Sequence, residues 1–343
     1  MRRAFADADA AEIVFVAQQQ LQAGAWDQAR ALCEAFPELD APALRLCRAV
    51  ASFVSGDSAS ALRLVAQVLA QQPPMLSALA VQAQILARTG QGSAALRPLA
   101  KLLEIFPDYP GAQSLLGALL FPGPHYRDVL AACHARLQPR AYLEIGVDTG
   151  ATLILGANSE IAIGVDPAEV RLQKPLPSCA RLYRFTSDDF FAHHTREHVF
   201  AERHVDLTFI DGMHRLENAL ADFMHAEAWS HPDATVVFHD CLPLHPVTAA
   251  RERRSNFWVG DTWKVVLALA SARPDLRIRS IPCAPSGLVI VRRLNPASRI
   301  LAEQFDDIVA RLAPLTWDHP LGEFPSEFGL VSNDAAGLAD AVA

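Results

Sequence analysis

The sequence predicts an all-α helical repeat domain followed by an α/β domain that contains a seven-stranded, doubly wound sheet. Three observations predict this arrangement. Glycine, alanine and proline recur with a common period in the first third of the chain. Short apolar segments then alternate with helix-length segments in the middle of the chain. The length of 343 residues is sufficient for two domains of ordinary size.

The composition excludes several classes of protein. Hydrophobic residues make up 51% of the chain and charged residues 20%, which is the composition of a protein with a sizeable core. The net charge of −8 disfavours bulk binding to nucleic acid. No segment approaches the roughly 18 uncharged apolar residues of a membrane span, and the six cysteines contain no C-x-x-C pair. We therefore expect a cytoplasmic protein with reduced cysteines, no nucleic-acid partner and no membrane partner.

Regularly spaced glycines mark the repeat region, which we place at residues 8–120. The glycines are 32 and 34 residues apart, an alanine follows each of them five residues later, and a proline closes each unit. These positions are Gly24, Gly56 and Gly90, Ala29, Ala61 and Ala95, and Pro42, Pro73 and Pro107. Glycine permits a tight turn, alanine lets two helices approach closely, and proline stops a helix. Each unit is therefore predicted to be a helical hairpin.

The period and the three marks resemble the tetratricopeptide repeat, although the large aromatic residues of its consensus are mostly missing. The resemblance implies a stack of hairpins that offers a concave surface to a peptide or to another subunit. Packing against the rest of the chain, or formation of a dimer, explains the same pattern equally well. The sequence leaves these alternatives open.

The turn cluster Phe121-Pro-Gly-Pro124 separates the repeats from the α/β domain, which we place at residues 121–295. Short apolar runs that are buried on both faces are typical of parallel strands. The predicted strands are residues 141–147, 161–165, 181–185, 205–210, 235–238, 277–281 and 288–292. The last two strands are joined by a turn and are predicted to form a hairpin at one end of the sheet.

Polar residues follow the predicted strands at their carboxyl ends, where ligands bind in doubly wound sheets. The first strand runs into a segment that contains Glu144, Gly146 and Gly150. The two glycines let the backbone approach a ligand closely. The residues at the ends of the next four strands are Asp166, Ser187, Asp188, Asp211, His239 and Asp240. An acid at the end of the second strand is well placed to bind the two hydroxyls of a ribose.

The loop after the first strand disfavours a dinucleotide. Asp148 occupies the second glycine position of the pattern G-x-G-x-x-G, so a pyrophosphate would face its carboxylate. A nicotinamide dehydrogenase is therefore disfavoured, and a cationic cofactor without phosphate is the better electrostatic fit.

Two segments, Tyr142-Leu-Glu-Ile-Gly-Val-Asp-Thr-Gly-Ala-Thr-Leu153 and Phe209-Ile-Asp-Gly-Met-His214, resemble class I S-adenosylmethionine-dependent methyltransferases, in particular small-molecule O-methyltransferases. The resemblance covers about residues 125–295. The chain departs from the family at Asp148 and at His231-Pro-Asp-Ala234, where the family has Pro-Gly-Gly. The resemblance implies S-adenosylmethionine as the cofactor and an oxygen of a small molecule or glycan as the methyl acceptor.

The same resemblance implies which residues bind the cofactor. Glycine-loop residues would line its amino-acid and sulfonium end, Asp166 would hold the ribose, and Ser187 with Asp188 would meet the adenine. Asp211 would complete the pocket near the reacting methyl group. The implied cofactor-binding residues are Glu144, Gly146, Gly150, Asp166, Ser187, Asp188 and Asp211.

Two histidines are candidate catalytic bases, because a hydroxyl acceptor must lose its proton and histidine has a near-neutral pKa. His214 follows the fourth strand and is the first candidate, and His239 at the end of the fifth strand is the second. Asp211 and Asp240 could supply two oxygen ligands to Mg²⁺, as in some related O-methyltransferases. The next position is Cys241, a poor ligand for a hard cation, so a metal is not predicted.

Two further segments complete the chain. Residues 243–260 connect the fifth strand to the next helix and contain Arg251, Arg253 and Trp258, which favours a partial lid that grips an anionic or sugar-like acceptor. Residues 296–343 are predicted to form one helix up to residue 312 and then a flexible tail that frays beyond Ser332.

The sequence thus favours an enzyme that transfers a methyl group from S-adenosylmethionine to an oxygen atom. The alternative is a non-catalytic binding protein, in which the repeats recruit a partner and the second domain is a degenerate methyltransferase. The methyl acceptor, the metal requirement and the oligomeric state do not follow from the sequence.

Overall fold

The computed structural model of the protein describes residues 10–23, 25–36, 39, 41–71 and 73–343. The chain divides into two compact units, Met1–Leu119 and Leu120–Ala343. This division falls beside the boundary that the sequence predicts at residues 120 and 121. Gly24, the first glycine mark of the repeat, lies outside the described residues.

Helices alone make up the regular structure described in the first unit, which confirms the all-α prediction for this region. The helices are α1 (Ala10–Gln22), α2 (Trp26–Ala35), α3 (Pro42–Val54), α4 (Ser58–Leu69), α5 (Leu76–Arg88), α6 (Gly92–Ile105) and α7 (Ala112–Leu120), the last of which runs one residue into the second unit.

The recurring glycines and alanines in the described residues lie at the positions that helical hairpins require. Gly56 turns the chain between α3 and α4 with a φ of +91°, and Gly90 turns it between α5 and α6 with a φ of +76°. Ala29, Ala61 and Ala95 are completely buried, so a larger side chain at these positions would separate the paired helices. The likeness to the tetratricopeptide repeat stays a prediction.

The second unit contains a seven-stranded sheet with the strand order β3-β2-β1-β4-β5-β7-β6. The strands are β1 (Ala141–Ile145), β2 (Ile161–Val165), β3 (Ala180–Tyr183), β4 (Val205–Ile210), β5 (Ser230–His239), β6 (Arg277–Ile281) and β7 (Leu288–Arg292). The first five strands are parallel, and β7 pairs antiparallel with both β5 and β6. The predicted doubly wound sheet, including its terminal hairpin, is confirmed.

Helices and short 3₁₀ segments connect these strands. The helices are α8 (Tyr126–Leu137), α9 (Ser187–His193), α10 (Arg196–Phe200), α11 (Leu216–Trp229), α12 (Lys264–Ala272), α13 (Ile300–Glu303), α14 (Phe305–Leu312) and α15 (Ala335–Ala341). The 3₁₀ segments are Leu153–Asn158 and Ser326–Phe328. Every residue of β1 is buried, and the last six residues of β5 are buried, as expected for strands covered on both faces.

Three strands differ in length from their predictions. The first strand is predicted to continue to residue 147 but ends at Ile145, because Gly146 has a φ of +85° and turns the chain out of the sheet. The third strand is shorter than predicted. The fifth extends back to Ser230, where it pairs with Val205.

The carboxyl-terminal region differs from the expected single helix and frayed tail. Two short helices, α13 and α14, replace the single helix, and α15 lies beyond Ser332, where fraying was expected. The side chain of Asp334 accepts hydrogen bonds from the backbone N–H groups of Ala336 and Gly337 in the first turn of α15, and Ala341 is completely buried. Asp340 forms ion pairs with Arg277 and Arg279 of β6. Capping, burial and ion pairing together order a segment whose composition alone suggests a mobile terminus.

None of the helices in the described residues is both long and apolar enough to cross a membrane.

Candidate functional site

A cavity of about 380 Å³ opens at the carboxyl ends of the parallel strands. Loops after β1, β2, β3 and β4 contribute to its wall, together with the amino-terminal end of α8. Its polar lining residues are Arg127, Asp148, Thr149, Thr152, Asp166, Thr186, Ser187, Asp188, Asp211 and Asn218. The cavity therefore collects most of the strand-end residues that the sequence predicts for a ligand site.

The loop after β1 depends on Gly146, which lines the cavity. Its backbone N–H donates to the carbonyl oxygen of Val165 at 2.9 Å, and its positive φ suits glycine. A Cβ atom at this position would fall on the carbonyl of Asp211, far inside contact distance. Gly146 thus lets the loops after β1 and β4 approach each other. Gly150, the other predicted glycine, is not among the lining residues.

Asp166 lines the cavity and also orders the loop after β1. Its Oδ2 accepts hydrogen bonds from the backbone N–H groups of Val147 at 2.8 Å and Asp148 at 3.1 Å. Its Oδ1 accepts from the N–H of Ala168 at 2.8 Å. The predicted ribose-binding acid therefore also fixes the backbone that forms the cavity wall.

Glu144 lies beneath the cavity and does not line it, in contrast to the role that the resemblance implies. The side chain is fully buried, and it accepts hydrogen bonds from the Tyr142 hydroxyl at 2.6 Å and from the Thr152 hydroxyl at 2.8 Å. Burial raises its pKa to about 8, even though these two hydrogen bonds favour the ionised form. Glu144 acts on the cavity through Thr152, which is a lining residue.

Ser187 and Asp188 begin α9 and line the cavity beyond β3. The helix is capped by Thr186, whose hydroxyl accepts a hydrogen bond from the backbone N–H of Asp189 at 3.1 Å. Asp222 of α11 is almost completely buried nearby. Burial raises the pKa of Asp222 to about 7, against the effect of its hydrogen bond with Ser187.

Two carboxylates and two histidines form a cluster where β4 and β5 end. Nδ1 of His239 lies 3.1 Å from Oδ1 of Asp211 and 3.4 Å from Oδ1 of Asp240. Nε2 of His214 lies 3.2 Å from Oδ2 of Asp240 and 3.5 Å from Oδ1 of Asp211. The structure thus brings together both candidate bases and both candidate metal ligands.

The carboxylates stabilise the charged form of the histidines. Burial lowers the pKa of His214, but the hydrogen bond to Asp211 and the charges of Asp240 and Asp211 outweigh it and raise the pKa to about 9. The pKa of His239 is also raised, because the charges of both acids outweigh burial. Burial opposes ionisation of Asp211, yet the neighbouring histidines hold its pKa below its usual range.

Solvent reaches the two histidines to different extents. The side chain of His214 is 21% exposed, and its Nδ1 lies 2.7 Å from the carbonyl oxygen of Trp258, which that nitrogen can engage only as a donor. The side chain of His239 is 7% exposed, and its ring packs 4.1 Å from the ring of Tyr126. His214 is therefore the more accessible of the two.

Three side chains are close enough together to bind one metal ion. They are Asp211, His214 and Asp240, and one ligand atom from each lies within 4.8 Å of the others. Cys241, which follows the second acid, is completely buried, and its thiol donates to the carbonyl of His239. In space, His214 offers a third ligand atom beside the two acids, as an alternative to its role as a base. Two carboxylates with an imidazole suit Mn²⁺ and other transition metals better than they suit Mg²⁺.

The connection formed by residues 243–260 is tied to the rest of the second unit. Arg251 forms ion pairs with Glu217 and with the fully buried Asp261. Arg253 donates to two carbonyl groups of its own loop. The indole of Trp258 donates to the carbonyl of Ala250 and lies 5.5 Å from the His214 ring. Arg251 and Arg253, which the sequence predicts to grip an acceptor, are thus engaged within the chain.

Sequence reasoning missed several lining residues, notably Tyr126, Arg127, Thr152 and Asn218. Tyr126 and Arg127 precede the first strand by more than ten residues, so a search of strand ends passes over them. Their position just after the turn cluster that opens the domain was the one available signal.

A protein-family model described as "Methyltransferase domain" matches residues 143–241. The matched segment begins within β1 and ends just after β5, so it contains Asp166 and the cluster around Asp211 and Asp240. It supports a methyltransferase domain in this part of the chain. No curated protein matches the sequence.

Three solved structures resemble the chain. Cofactor-bound Rv0187 from MTB is 16% identical, with a TM-score of 0.38 over 56% of this chain and 94% of that one. The O-methyltransferase from Bacillus cereus in complex with SAH is 16% identical, with a TM-score of 0.36 over 52% of this chain and 87% of that one. The O-methyltransferase TomG from Streptomyces achromogenes, involved in tomaymycin synthesis and bound to SAM, is 17% identical, with a TM-score of 0.36 over 58% and 89%.

Proposed function

We propose that the protein is an S-adenosylmethionine-dependent methyltransferase that methylates an oxygen atom of a small molecule or glycan. The observation that carries this proposal is that Gly146, Asp166, Ser187, Asp188 and Asp211 all line one cavity at the carboxyl ends of β1 to β4. The family match over residues 143–241 supports the methyltransferase activity.

The chemistry of the cavity suits this cofactor. Its volume of about 380 Å³ lies within the range of roughly 300 to 1,000 Å³ typical of small-ligand pockets. Four lining residues are aspartates, which favours a cation such as a sulfonium and disfavours a pyrophosphate. Asp166 would hold the ribose, Ser187 and Asp188 the adenine, and Gly146 would allow close approach of the amino-acid end.

The bound cofactor supplies an electrophilic methyl group for an in-line displacement. The chain has to hold the acceptor oxygen in line at about 3 Å and exclude water from the reacting atoms. His214 is the stronger candidate to receive the acceptor's proton, because it is more exposed than His239 and directly follows Met213, which lines the cavity. His214 must first lose the proton that Asp211 and Asp240 stabilise, so we expect transfer to a hydroxyl to accelerate as the pH rises.

We also propose that Asp211 and Asp240 bind a divalent cation. When bound, it would polarise an acceptor hydroxyl. The two carboxylates and His214 each bring a ligand atom within 4.8 Å of the others, and a cation bound there would compete with the protons on His214 and His239. Mn²⁺ is the best probe, since its binding is measured directly by electron paramagnetic resonance.

Calorimetric titration with S-adenosylmethionine and S-adenosylhomocysteine, with NADH as the control ligand, tests the cofactor assignment. Micromolar binding of the first two ligands without NADH binding supports the proposal and justifies a screen of hydroxyl-bearing acceptors. If neither ligand binds, the proposed methyltransferase function is refuted. The alternative, a non-catalytic binding protein, would then remain.

For the helical unit we propose an association function, through either a protein partner or a second copy of the chain. The tetratricopeptide-like spacing of residues 8–120 supports this role. Removing the residues before residue 121 should change the oligomeric state if self-association is the function. An unchanged oligomeric state would favour a separate partner.

A further inference from the structure

One cationic side chain lines the cavity in the part of the chain that the structure describes, and it belongs to Arg127. The lining carboxylates come from Asp148, Asp166, Asp188 and Asp211. The four acids would suffice to bind a ligand that carries only positive charges. A cation on the wall therefore indicates that the ligand also carries a negative group.

The guanidinium of Arg127 is held in place by one hydrogen bond, and its other donors make none to the described residues. Its Nε donates to the hydroxyl of Tyr126 at 3.1 Å, and its central carbon lies 5.5 Å from the centre of the Tyr126 ring. Neither terminal nitrogen of Arg127 bonds another described residue. A guanidinium held at Nε with free terminal nitrogens is ready for charge-assisted hydrogen bonds to a carboxylate.

Arg127 lies at one end of the cavity, far from the predicted adenine site. Its neighbour Tyr126 packs against His239, the last residue of β5, whereas Ser187 and Asp188 lie beyond β3. The strand order places β2, β1 and β4 between β3 and β5. Four strand spacings of about 4.8 Å therefore separate β3 from β5, which places Arg127 and the adenine site on opposite sides of the cavity. A ligand with adenine at the β3 end would direct its opposite end towards Arg127.

We propose that Arg127 binds the carboxylate of the amino-acid half of S-adenosylmethionine. This inference rests on the proposed function. The cofactor carries one anionic group, at the end opposite the adenine, and two cationic groups that suit the aspartates. Arg127 would thereby select cofactors with an intact amino-acid end against those that lack the carboxylate.

The test compares two ligands that differ only in this carboxylate, S-adenosylhomocysteine and decarboxylated S-adenosylhomocysteine. Calorimetry measures both affinities for the wild type and for Arg127→Gln. We expect the substitution to weaken S-adenosylhomocysteine about 10-fold and to leave the decarboxylated ligand unchanged. Arg127 is exposed, so the variant should fold, and thermal denaturation verifies this. Arg136→Gln is the matched control, since Arg136 is an exposed residue in the last turn of the same helix.

The outcomes separate this inference from the proposed function. If the wild type binds S-adenosylhomocysteine and Arg127→Gln binds it equally well, the inference is wrong and the proposed function stands. An equal loss of affinity for both ligands would also overturn the inference, because the effect would not depend on the carboxylate. If the wild type binds neither ligand, the proposed function fails and the inference fails with it.

Discussion

Nε2 of His214 lies 3.2 Å from Oδ2 of Asp240, and this contact joins the loop after β4 to the residue that follows β5. The other oxygen of Asp240 accepts a hydrogen bond from the hydroxyl of Ser286. Asp240 itself has a φ of +57°, a conformation that few residues other than glycine adopt. The contacts with His214 and Ser286 hold Asp240 in this conformation.

The contact gives His214 two alternative roles, and one variant separates them. If His214 is the base, His214→Ala should lower kcat about 100-fold or more without changing the affinity for Mn²⁺. If His214 is a metal ligand, the same variant should lose Mn²⁺ affinity. We expect the first result, measured by methyl transfer and by electron paramagnetic resonance. A larger loss of kcat in His239→Gln than in His214→Ala would assign the base to His239 instead.

Asp240→Asn should abolish binding of Mn²⁺ and leave the affinity for S-adenosylhomocysteine nearly unchanged. The substitution removes one of the two negative charges that a cation would need, while Asp240 does not line the cofactor cavity. Paramagnetic resonance of free Mn²⁺ and calorimetry measure the two affinities. Mn²⁺ binding that survives the substitution would place any cation elsewhere in the protein.

Asp166→Ala should weaken S-adenosylhomocysteine at least about 10-fold, because it removes a charged acceptor for the ribose and two bonds to the loop after β1. The matched control is Asp233→Ala, an exposed acid near the start of β5 and outside the cavity. Calorimetry measures both variants. Equal affinities of Asp166→Ala and the wild type would mean that ligand binding does not depend on Asp166, either directly or through the loop.

The sequence predicted the fold well because the signals of the sheet are local. Seven apolar runs mark the strands, and four of the seven have the predicted bounds. The carboxyl-terminal helix α15 was missed, because its order depends on contacts that are distant in sequence, such as those of Asp340 with Arg277 and Arg279. Such contacts leave no local pattern.

Part of the cavity lining follows from the sequence, for a related reason. Strand ends are local signals, so Asp166 and Asp211 were found and both line the cavity. The direction of a side chain is not local: Glu144 lies within β1, one residue before its end, and is buried in the core, where Tyr142 and Thr152 donate hydrogen bonds to it. Arg127 comes from a helix outside the strand-end pattern, and its place in the cavity follows only from the packing of α8.

Gly146→Ala should destabilise the second unit by more than about 3 kcal/mol, because a Cβ would collide with the Asp211 carbonyl and would also require an unfavourable positive φ. The control is Gly56→Ala, which has a φ of +91° but open space around the added Cβ, and which should cost the first unit about 1 kcal/mol. Chemical denaturation measures both losses. Similar losses for the two variants would mean that the loop after β1 moves to accept the methyl group.

Glu144→Gln should make stability less dependent on pH between about pH 5 and pH 8. Burial raises the pKa of Glu144 to about 8 in the folded protein, whereas an unfolded glutamate loses its proton near pH 4.3. Between these values the folded state binds more protons than the unfolded state, so the free energy of unfolding falls as the pH rises. Glutamine cannot ionise and keeps one hydrogen-bond acceptor and one donor for Tyr142 and Thr152.

The measurement is urea denaturation of the second unit, followed by tryptophan fluorescence at pH 5, 6, 7 and 8. From pH 5 to pH 8, the free energy of unfolding of Glu144→Gln should rise relative to that of the wild type by on the order of 1 to 3 kcal/mol. Glu169→Gln is the control, since Glu169 is an exposed glutamate of the same unit. Asp222, whose pKa is about 7, contributes a decrease of the same sign in both proteins and therefore cancels from the comparison. A parallel pH dependence in Glu144→Gln and the wild type would mean that Glu144 is ionised in the folded protein throughout this range.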